Sequence, residues 1–334
     1  MKCLIQILRT SFCSLFIILG GNTTIQASAI VWMLHPVSGD IIRINPNSGT
    51  VLGSFPAPIK PFTPFDPLTD PFPPPIYPFI ADTRAGLTIA DHGTTLLYQL
   101  GSNGPMHEVP GREILYGLDP FTGEIKYQTL GLLSSFGPDG LSWQPQGSDS
   151  FTFFAHANPI PDIHRIKNIG EADEYEEAFW GPTYFQGDIG HFPVGGLGGD
   201  GYGREFGTFS DDFNQFNGHR YIGEYSPYDT GFFINRFLAP SDDIEGLAFD
   251  GHFLYASSAS GSLYTLDPDT GEIINSIVLP PLFFSDGSFA PYSFDIAAMP
   301  EPVTLLLISI GLISFNSTTR GKKKLNNSKA VSFT

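Results

Sequence analysis

Cysteine is almost missing from this sequence of 334 residues, since its two cysteines, Cys3 and Cys13, both lie near the amino terminus. The rest of the chain therefore has no disulfide, thiol nucleophile or cysteine-bound metal. Charged residues are also scarce, at 15%, which argues against a coiled coil or a charged disordered tail. Motifs of common enzymes are missing as well: the sequence has no His pair at i, i+4, no Gly-x-Ser-x-Gly elbow and no phosphate-binding Gly-Lys-Ser/Thr loop.

Glycine, proline and aromatic residues are abundant instead. The chain has 37 Gly and 29 Pro, and 14% of it is aromatic. This composition favours many short strands joined by turns and argues against a helical bundle. The apolar content of 41% is enough to build a core.

Acidic charge is concentrated in the middle of the chain. Between residues 30 and 299 lie 33 of the 34 acidic residues but only 10 of the 17 basic ones. Such a surface repels nucleic acid and anionic membranes, because both bind proteins through Lys and Arg. It is compatible with cations such as calcium and with solubility in a salty exterior.

The amino terminus has the pattern of a secretory signal peptide. Lys2 and Arg9 form its positive region, residues 15–19 are the densest part of its apolar region, and Ala27-Ser28-Ala29 is a small-x-small cleavage site. We therefore predict that residues 1–29 are a signal peptide, that the mature chain begins at Ile30 and that the protein is exported.

The carboxyl terminus has three parts in order: a Pro-Glu-Pro triplet, an apolar stretch over 303–315 and a basic cluster. The residues are Pro300, Glu301 and Pro302, followed by Arg320, Lys322, Lys323 and Lys324. A helix of this apolar stretch spans about 20 Å, short of the roughly 30 Å hydrocarbon core. The arrangement closely resembles the PEP-CTERM sorting signal of Gram-negative bacteria that make exopolysaccharide. The resemblance implies a sorting signal over 300–334, transient anchoring by its helix, processing by an exosortase, and a destination at the cell surface or in the extracellular matrix.

One repeated unit predicts β-hairpins. IRINPNSGTV at 42–51, YGLDPFTGEI at 116–125 and YTLDPDTGEI at 264–273 each combine two strands with a turn. Asn45, Asp119 and Asp267 can fold their side chains onto backbone N–H groups two residues on. Gly49, Gly123 and Gly271 supply the positive φ that closes each turn.

A second unit is an apolar strand built on Gly-Leu. Its Leu or Ile recurs every 49 to 56 residues, at Leu87, Leu141, Leu197, Leu247 and Ile296. In its clearest copy this strand leads into three more strands, which is the content of one propeller blade. We therefore predict an all-β fold, a single β-propeller over residues 30–299 with five blades. Six blades, or a β-sandwich, are the alternatives.

The ends of the repeats predict how the ring closes. The first hairpin has no Gly-Leu strand before it, and the strand of Phe294 and Ile296 has no hairpin after it. Pairing the N-terminal hairpin with this C-terminal strand completes one blade and removes an open edge. The repeats resemble those of the quinoprotein-like and YVTN-like propellers, a resemblance that implies architecture more than function.

Two inserts interrupt the repeats. Residues 56–78 hold ten prolines, which excludes a central strand and favours a polyproline II path across the surface. The segment EADEYEEAFW, residues 171–180, is predicted to form one or two helical turns with a solvated acidic face.

Three acidic residues form the candidate metal site. Asp139 and Glu245 precede Gly-Leu in their units, and Asp295 sits one place later in its own. Inner strands line a propeller channel, so carboxylates that converge there would suit calcium. Glu-Gly-Leu also resembles strand openings of lactonase and phytase-like esterase propellers, where a glutamate binds metal. The opposing interpretation is that these acids accept hydrogen bonds from backbone amides at strand ends.

Three functions follow from these patterns. The first is a non-enzymatic exported propeller that binds extracellular polysaccharide or matrix protein. The second is a calcium-dependent hydrolase acting on a lactone or phosphate ester at the channel mouth. The third is a passive surface scaffold. No catalytic residue or other cofactor is predicted, and no nucleic-acid partner is expected.

Overall fold

The computed structural model contains one propeller-like β unit, Ala29–Pro300. The structure describes residues 29–58, 83–102, 114–129, 140–146, 149–156, 162–167, 175–180, 192–199, 201, 203–210, 219–225, 233–283, 287, 289–290 and 295–300. Within these ranges the fold is all-β, and a single 3-10 turn at Asp91–Gly93 is the one helical element. No helix long and apolar enough to cross a membrane occurs in the described ranges.

The strands of the described residues are short. In chain order they are β1 Ala29–Leu34, β2 Asp40–Ile44, β3 Val51–Pro56, β4 Thr83–Ala90, β5 Thr95–Ser102, β6 Leu115–Leu118, β7 Ile125–Gln128, β8 Gly140–Gln146, β9 Asp149–His156, β10 Asp162–Lys167, β11 Tyr175–Trp180, β12 Phe192–Gly199, β13 Glu205–Ser210, β14 Arg220–Tyr225, β15 Phe233–Leu238, β16 Ile244–Phe249, β17 Leu254–Ser258, β18 Ser262–Leu266, β19 Ile273–Val278, β20 Leu282–Phe283, β21 Phe289–Ala290 and β22 Ile296–Pro300.

These strands form five four-stranded antiparallel sheets and one two-stranded pair, β20-β21. Sheet 1 has the order β22-β1-β2-β3, sheet 2 β4-β5-β6-β7, sheet 3 β8-β9-β10-β11, sheet 4 β12-β13-β14-β15 and sheet 5 β16-β17-β18-β19. The first strand of each order is the inner strand. Each inner strand contacts the next, from β4 through β8, β12 and β16 to β22 and back to β4, so the inner strands form a closed ring.

The predicted closure of the two ends within one sheet is confirmed. Strand β22 pairs antiparallel with β1, with Ala29 opposite Pro300 and Met33 opposite Ile296. The closing strand does not pair with the 42–51 hairpin directly, because β1 lies between them. All six residues of β1 are buried, since this strand is paired on both edges and has a neighbouring sheet on both faces.

The hydrophobic core lies between neighbouring sheets. Four clusters of buried side chains join sheet 1 to sheet 2, sheet 2 to sheet 3, sheet 4 to sheet 5 and sheet 5 to sheet 1. Trp32 is fully buried between sheets 1 and 2, and its indole N–H donates to the carbonyl of Pro120 at 2.7 Å. Burial of whole strand faces, about 25 cal/mol for each Å² of apolar surface, replaces the disulfides that this part of the chain lacks.

Sheets 3 and 4 are joined by polar contacts. The Gln144 amide donates to the carbonyl of Arg204 at 3.1 Å and accepts from the backbone N–H of Gly203 at 3.0 Å. The Arg204 guanidinium binds both carboxylate oxygens of Glu224, at 2.7 and 2.9 Å, and reaches Asp269 of sheet 5 at 2.8 Å. This arginine therefore connects sheet 4 to the turn of the following sheet.

The predicted turns have the predicted chemistry. Asn45, Asp119 and Asp267 each accept a hydrogen bond from the backbone N–H two residues on, at 2.9, 2.9 and 3.0 Å. The closing glycines, Gly49, Gly123 and Gly271, have φ of 71°, 76° and 72°. In the left-handed region a side chain is strained, so glycine is needed for the turn itself.

These turns also hold neighbouring sheets together. A side chain from the outer strand of one sheet packs over the turn glycine of the next: Phe55 over Gly123, Phe237 over Gly271 and Ile277 over Gly49. The first two glycines have no space for a Cβ, which would lie less than 3.0 Å from the phenylalanine ring. The repeat therefore encodes a contact between sheets as well as a hairpin.

The helix predicted within 171–180 is wrong for the residues that the structure describes. Tyr175–Trp180 forms strand β11, the outer strand of sheet 3, and pairs with β10. Its glutamates suggested a helix, but its aromatic residues favour a strand, and Glu177 lies opposite Arg165 in the register. Most of the proline-rich insert, from residue 59 onward, lies outside the described ranges.

We expect Gly123→Ala to destabilise the fold by about 1–3 kcal/mol, because it adds a left-handed strain and an overlap with Phe55. Gly251→Ala is the matched control: Gly251 has φ of 87°, and a Cβ there would meet nothing within 4 Å. The difference between the two variants in unfolding free energy, obtained by urea unfolding, measures the contribution of the contact between sheets. Equal losses would show that Phe55 does not fix the turn.

Candidate functional site

The inner strands, which contain the Gly-Leu repeat, surround the centre of the ring. Gly86, Gly140, Gly196 and Gly246 precede the repeat leucines of four inner strands, and Asp295 occupies the same position in the fifth. A Cβ at Gly140 or Gly196 would lie less than 3.0 Å from the backbone of the next inner strand. The repeat glycines therefore allow the inner strands to approach closely, which leaves one side chain, that of Asp295, at this level.

The Asp295 carboxylate is bonded to three other sheets. It accepts hydrogen bonds from the backbone N–H groups of Leu141 at 2.7 Å, Leu247 at 3.0 Å and Leu87 at 3.4 Å. Its own backbone N–H donates to the carbonyl of Ala85 at 3.1 Å. A single fully buried residue thus joins sheet 1 to sheets 2, 3 and 5.

Burial controls the protonation of this group. Loss of water around Asp295 raises its pKa well above the ordinary value of 3.8, although the backbone donors, led by those of Leu141 and Leu247, oppose the shift. A protonated carboxyl group still has acceptor lone pairs for three donors. The hydrogen-bonded centre therefore does not depend on the negative charge alone.

Of the three predicted metal ligands, the structure describes Asp295 and Glu245. Asp295 lies at the ring centre and is occupied by backbone donors, as the opposing interpretation expects. Glu245 lies on β16, half-buried, directly before Gly246, and Asp139 lies outside the described residues. No group of three or more His, Cys, Asp or Glu side chains suited to a metal ion occurs among the residues described.

The predicted sorting-signal residues lie at or beyond the end of this unit. Pro300 is the last residue of β22 and is the register partner of Ala29. Strand pairing thus includes one residue beyond each end of the predicted 30–299 domain. Glu301, Pro302, Arg320, Lys322, Lys323 and Lys324 lie outside the described residues.

A second candidate site lies at a turn between an inner strand and its neighbour. Asp91, His92 and Gly93 connect β4 to β5 with φ of 51°, 54° and 92°. A left-handed conformation costs most residues about 1–2 kcal/mol, and such strain is often found at functional sites. His92 is exposed, and Asp91 is half-buried.

Sheet 3 and the outer strand of sheet 2 hold this turn in place. The Tyr127 hydroxyl donates to the Asp91 carboxylate at 3.2 Å, and the Lys126 ammonium donates to the carbonyl of Thr94. The His92 ring meets the edge of Trp143 of sheet 3, with ring centroids 5.4 Å apart and an interplanar angle of 89°. Burial, followed by the Asp91 charge, raises the pKa of Tyr127 above its ordinary range, so this hydroxyl keeps its proton as the donor.

A similar turn lies at the same end of sheet 5. Asp250 follows β16, and its carboxylate accepts from the Tyr255 hydroxyl at 3.1 Å and from the backbone N–H of His252 at 2.8 Å. Because alternate strands are antiparallel, turns that join first to second strands and third to fourth strands lie at one end of each sheet. We call this end the turn face; it includes the turns at 45–49, 91–93, 119–123, 250–252 and 267–271.

Sequence reasoning missed the site at Asp91. The segment Ala-Asp-His-Gly at 90–93 resembles an ordinary turn, and Tyr127 is 36 residues from Asp91. The available signal was the pairing of an Asp after a Gly-Leu strand with a nearby His, which occurs at 91–92 and again at 250–252. That pattern becomes informative only when the ring places both turns on one face.

Comparisons with known proteins found similarity only to solved structures of low sequence identity. No protein-family model matches the chain, and no curated protein matches it either. A crystal structure of BBS1N in complex with ARL6DN is similar with 12% identity and a TM-score of 0.34, covering 73% of this chain and 65% of that one. The structure of apo AztD from Citrobacter koseri has 10% identity and a TM-score of 0.37, covering 81% and 98%. At these values the similarities carry no conclusion about function.

We expect Asp295→Asn to change how stability depends on pH. Because the pKa of Asp295 is raised in the folded state, folding takes up a proton, and this residue's contribution to stability falls as pH rises from about 4 through the raised pKa. Measured by urea unfolding from pH 4 to 8, the unfolding free energy of wild type should therefore fall relative to that of Asp295→Asn as pH rises. A relative rise would show that the backbone donors outweigh burial.

Proposed function

We propose that this protein is an exported, five-bladed, non-enzymatic β-propeller that binds an extracellular polysaccharide or matrix protein through its turn face. The five four-stranded sheets and the contacts among their inner strands support the blade number. The signal-peptide and sorting-signal patterns support export, exosortase processing and a destination at the cell surface or in the matrix.

The observation that carries the binding role is the left-handed turn at Asp91–Gly93. Its conformation is strained at two non-glycine residues, it is held by Tyr127 and Trp143 from two sheets, and it presents His92 to solvent. The supporting contacts fix the His92 ring and the Asp91 carboxylate before a ligand arrives, which lowers the entropy cost of binding.

The charge of the domain limits the ligand. An excess of acidic over basic residues across 30–299 repels polyanions. We therefore favour a neutral polysaccharide, whose hydroxyl groups pair with carboxylate and imidazole groups. A matrix protein with a basic surface is the second choice within the same role.

The test is binding of the full chain to a panel of neutral and anionic bacterial exopolysaccharides by biolayer interferometry. We expect binding to a neutral member and about tenfold weaker binding by His92→Gly. Glycine adopts the left-handed turn without strain, and the relief offsets the lost Trp143 contact, of about 0.5–1.5 kcal/mol. The melting temperature should therefore change by only a few degrees.

His219→Ala is the control, because His219 is exposed but lies beside the loop between the second and third strands, at the opposite end of sheet 4. Its binding should equal that of wild type. Unchanged binding by His92→Gly would exclude the turn as the site. Failure to bind any polysaccharide or matrix protein, together with calcium-dependent hydrolysis of a lactone or phosphate ester, would replace this proposal with the hydrolase.

Processing gives a separate test of export. Expressed with an exosortase in a Gram-negative host, the chain should lose its C-terminal segment, as intact-mass spectrometry would show. Replacing Pro300, Glu301 and Pro302 with alanine should leave the segment attached. Equal processing of both chains, or retention in the cytoplasm, would contradict the sorting assignment.

A further inference from the structure

The hydrogen bonds of Asp295 join positions that are far apart in the sequence. Its partners Leu247, Leu141 and Leu87 lie 48, 154 and 208 residues away. All three donors are backbone N–H groups at the same position of the repeat, one in each of three inner strands. The shared acceptor belongs to the residue immediately before β22, the last strand of the ring.

We propose that Asp295 is a latch that closes the ring last: the inner strands of sheets 2, 3 and 5 lock together in one step when β22 pairs with β1 and delivers the carboxylate. Before that step the three N–H groups have no shared acceptor. After it, each is satisfied by one buried group.

The glycines of the repeat support this assignment. At the position of Asp295 the inner strands of sheets 2 to 5 carry glycine, which has no side chain to accept these bonds. A side chain at Gly140 or Gly196 also could not replace that of Asp295, because a Cβ there would overlap the adjacent backbone. The carboxylate therefore has a role that no neighbouring position can fill.

The topology supports the order of events. Sheets 2 to 5 are each built from consecutive strands, so each can form from a local stretch of chain. Sheet 1 needs strands from both ends, since β22 and β1 are separated by most of the domain. Contacts between distant residues form slowly because chain entropy must be lost first, which makes closure through β22 the final step.

The latch has a consequence for export, and this part rests on the proposed function. A chain that emerges from its amino terminus cannot close the ring until Asp295 has appeared, near the end of the β unit. Partly exported chains then remain open, and only complete chains can close. The latch itself does not depend on export and is tested on refolding protein.

The experiment is pulsed hydrogen exchange during refolding of the full chain from denaturant, read by mass spectrometry or NMR. We expect the amides of Leu87, Leu141 and Leu247 to gain protection in one kinetic phase, the phase in which β1 and β22 become protected. The hairpin amides of sheet 5, such as those of β18 and β19, should be protected earlier. Protection of the three leucine amides before β22 pairs would overturn the proposal.

Variants separate the latch from general packing. In native-state exchange, Asp295→Ala should raise the exchange rates of the three leucine amides together, by at least tenfold. Ile296→Val, which trims the same strand but keeps the carboxylate, should raise the exchange rates of these three amides no more than those of other core amides, such as the amides of β18. Separate responses of the three amides in Asp295→Ala would contradict a shared latch. If this variant does not fold, the order in which the wild-type amides become protected during refolding still tests the proposal.

Discussion

The fold depends on one buried carboxylate that accepts hydrogen bonds from three different sheets. Burying a carboxyl group is costly, and it is tolerated only where hydrogen bonds replace the lost solvent. Asp295 meets this condition, because every direct partner of its carboxylate is a backbone donor. The inner strands would otherwise present unsatisfied N–H groups at their free edges. The carboxyl group supplies acceptors for the N–H groups of the strand edges, and these N–H groups supply the donors that replace water around the carboxyl group.

In the outer part of the ring, the repeated turns also have two structural roles. Each Asx-Pro-x-Thr/Ser-Gly turn closes its own hairpin and receives a side chain from the preceding sheet, such as Phe55 over Gly123. Sheets 3 and 4 are in contact through Gln144 and the backbone at Gly203 and Arg204. The contacts between sheets therefore include both apolar packing over the turn glycines and polar contacts such as those of Gln144.

Sequence periodicity predicted the features that depend on local chemistry. The turns at Asn45, Asp119 and Asp267 were predictable because side chain, proline and glycine act within five residues. Ring closure was predictable because the repeat is incomplete at both ends. Strand β11 was not, because its glutamates favour a helix until sheet pairing is known. Asp295 was identified as a candidate ligand, but its partners are backbone amides, which sequence patterns do not show.

The occupied centre has a consequence for where function can lie. A propeller that binds a ligand in its channel needs side chains free to face that channel, whereas here glycines bring the inner strands together and Asp295 fills the level they share. The turns, by contrast, carry exposed side chains such as that of His92. Among these the left-handed turn at Asp91–Gly93 combines exposure with support from Tyr127 and Trp143. The closed centre and the turn face are two results of the same repeat, since its Gly-Leu part builds the inner strands and its connections build the turn face.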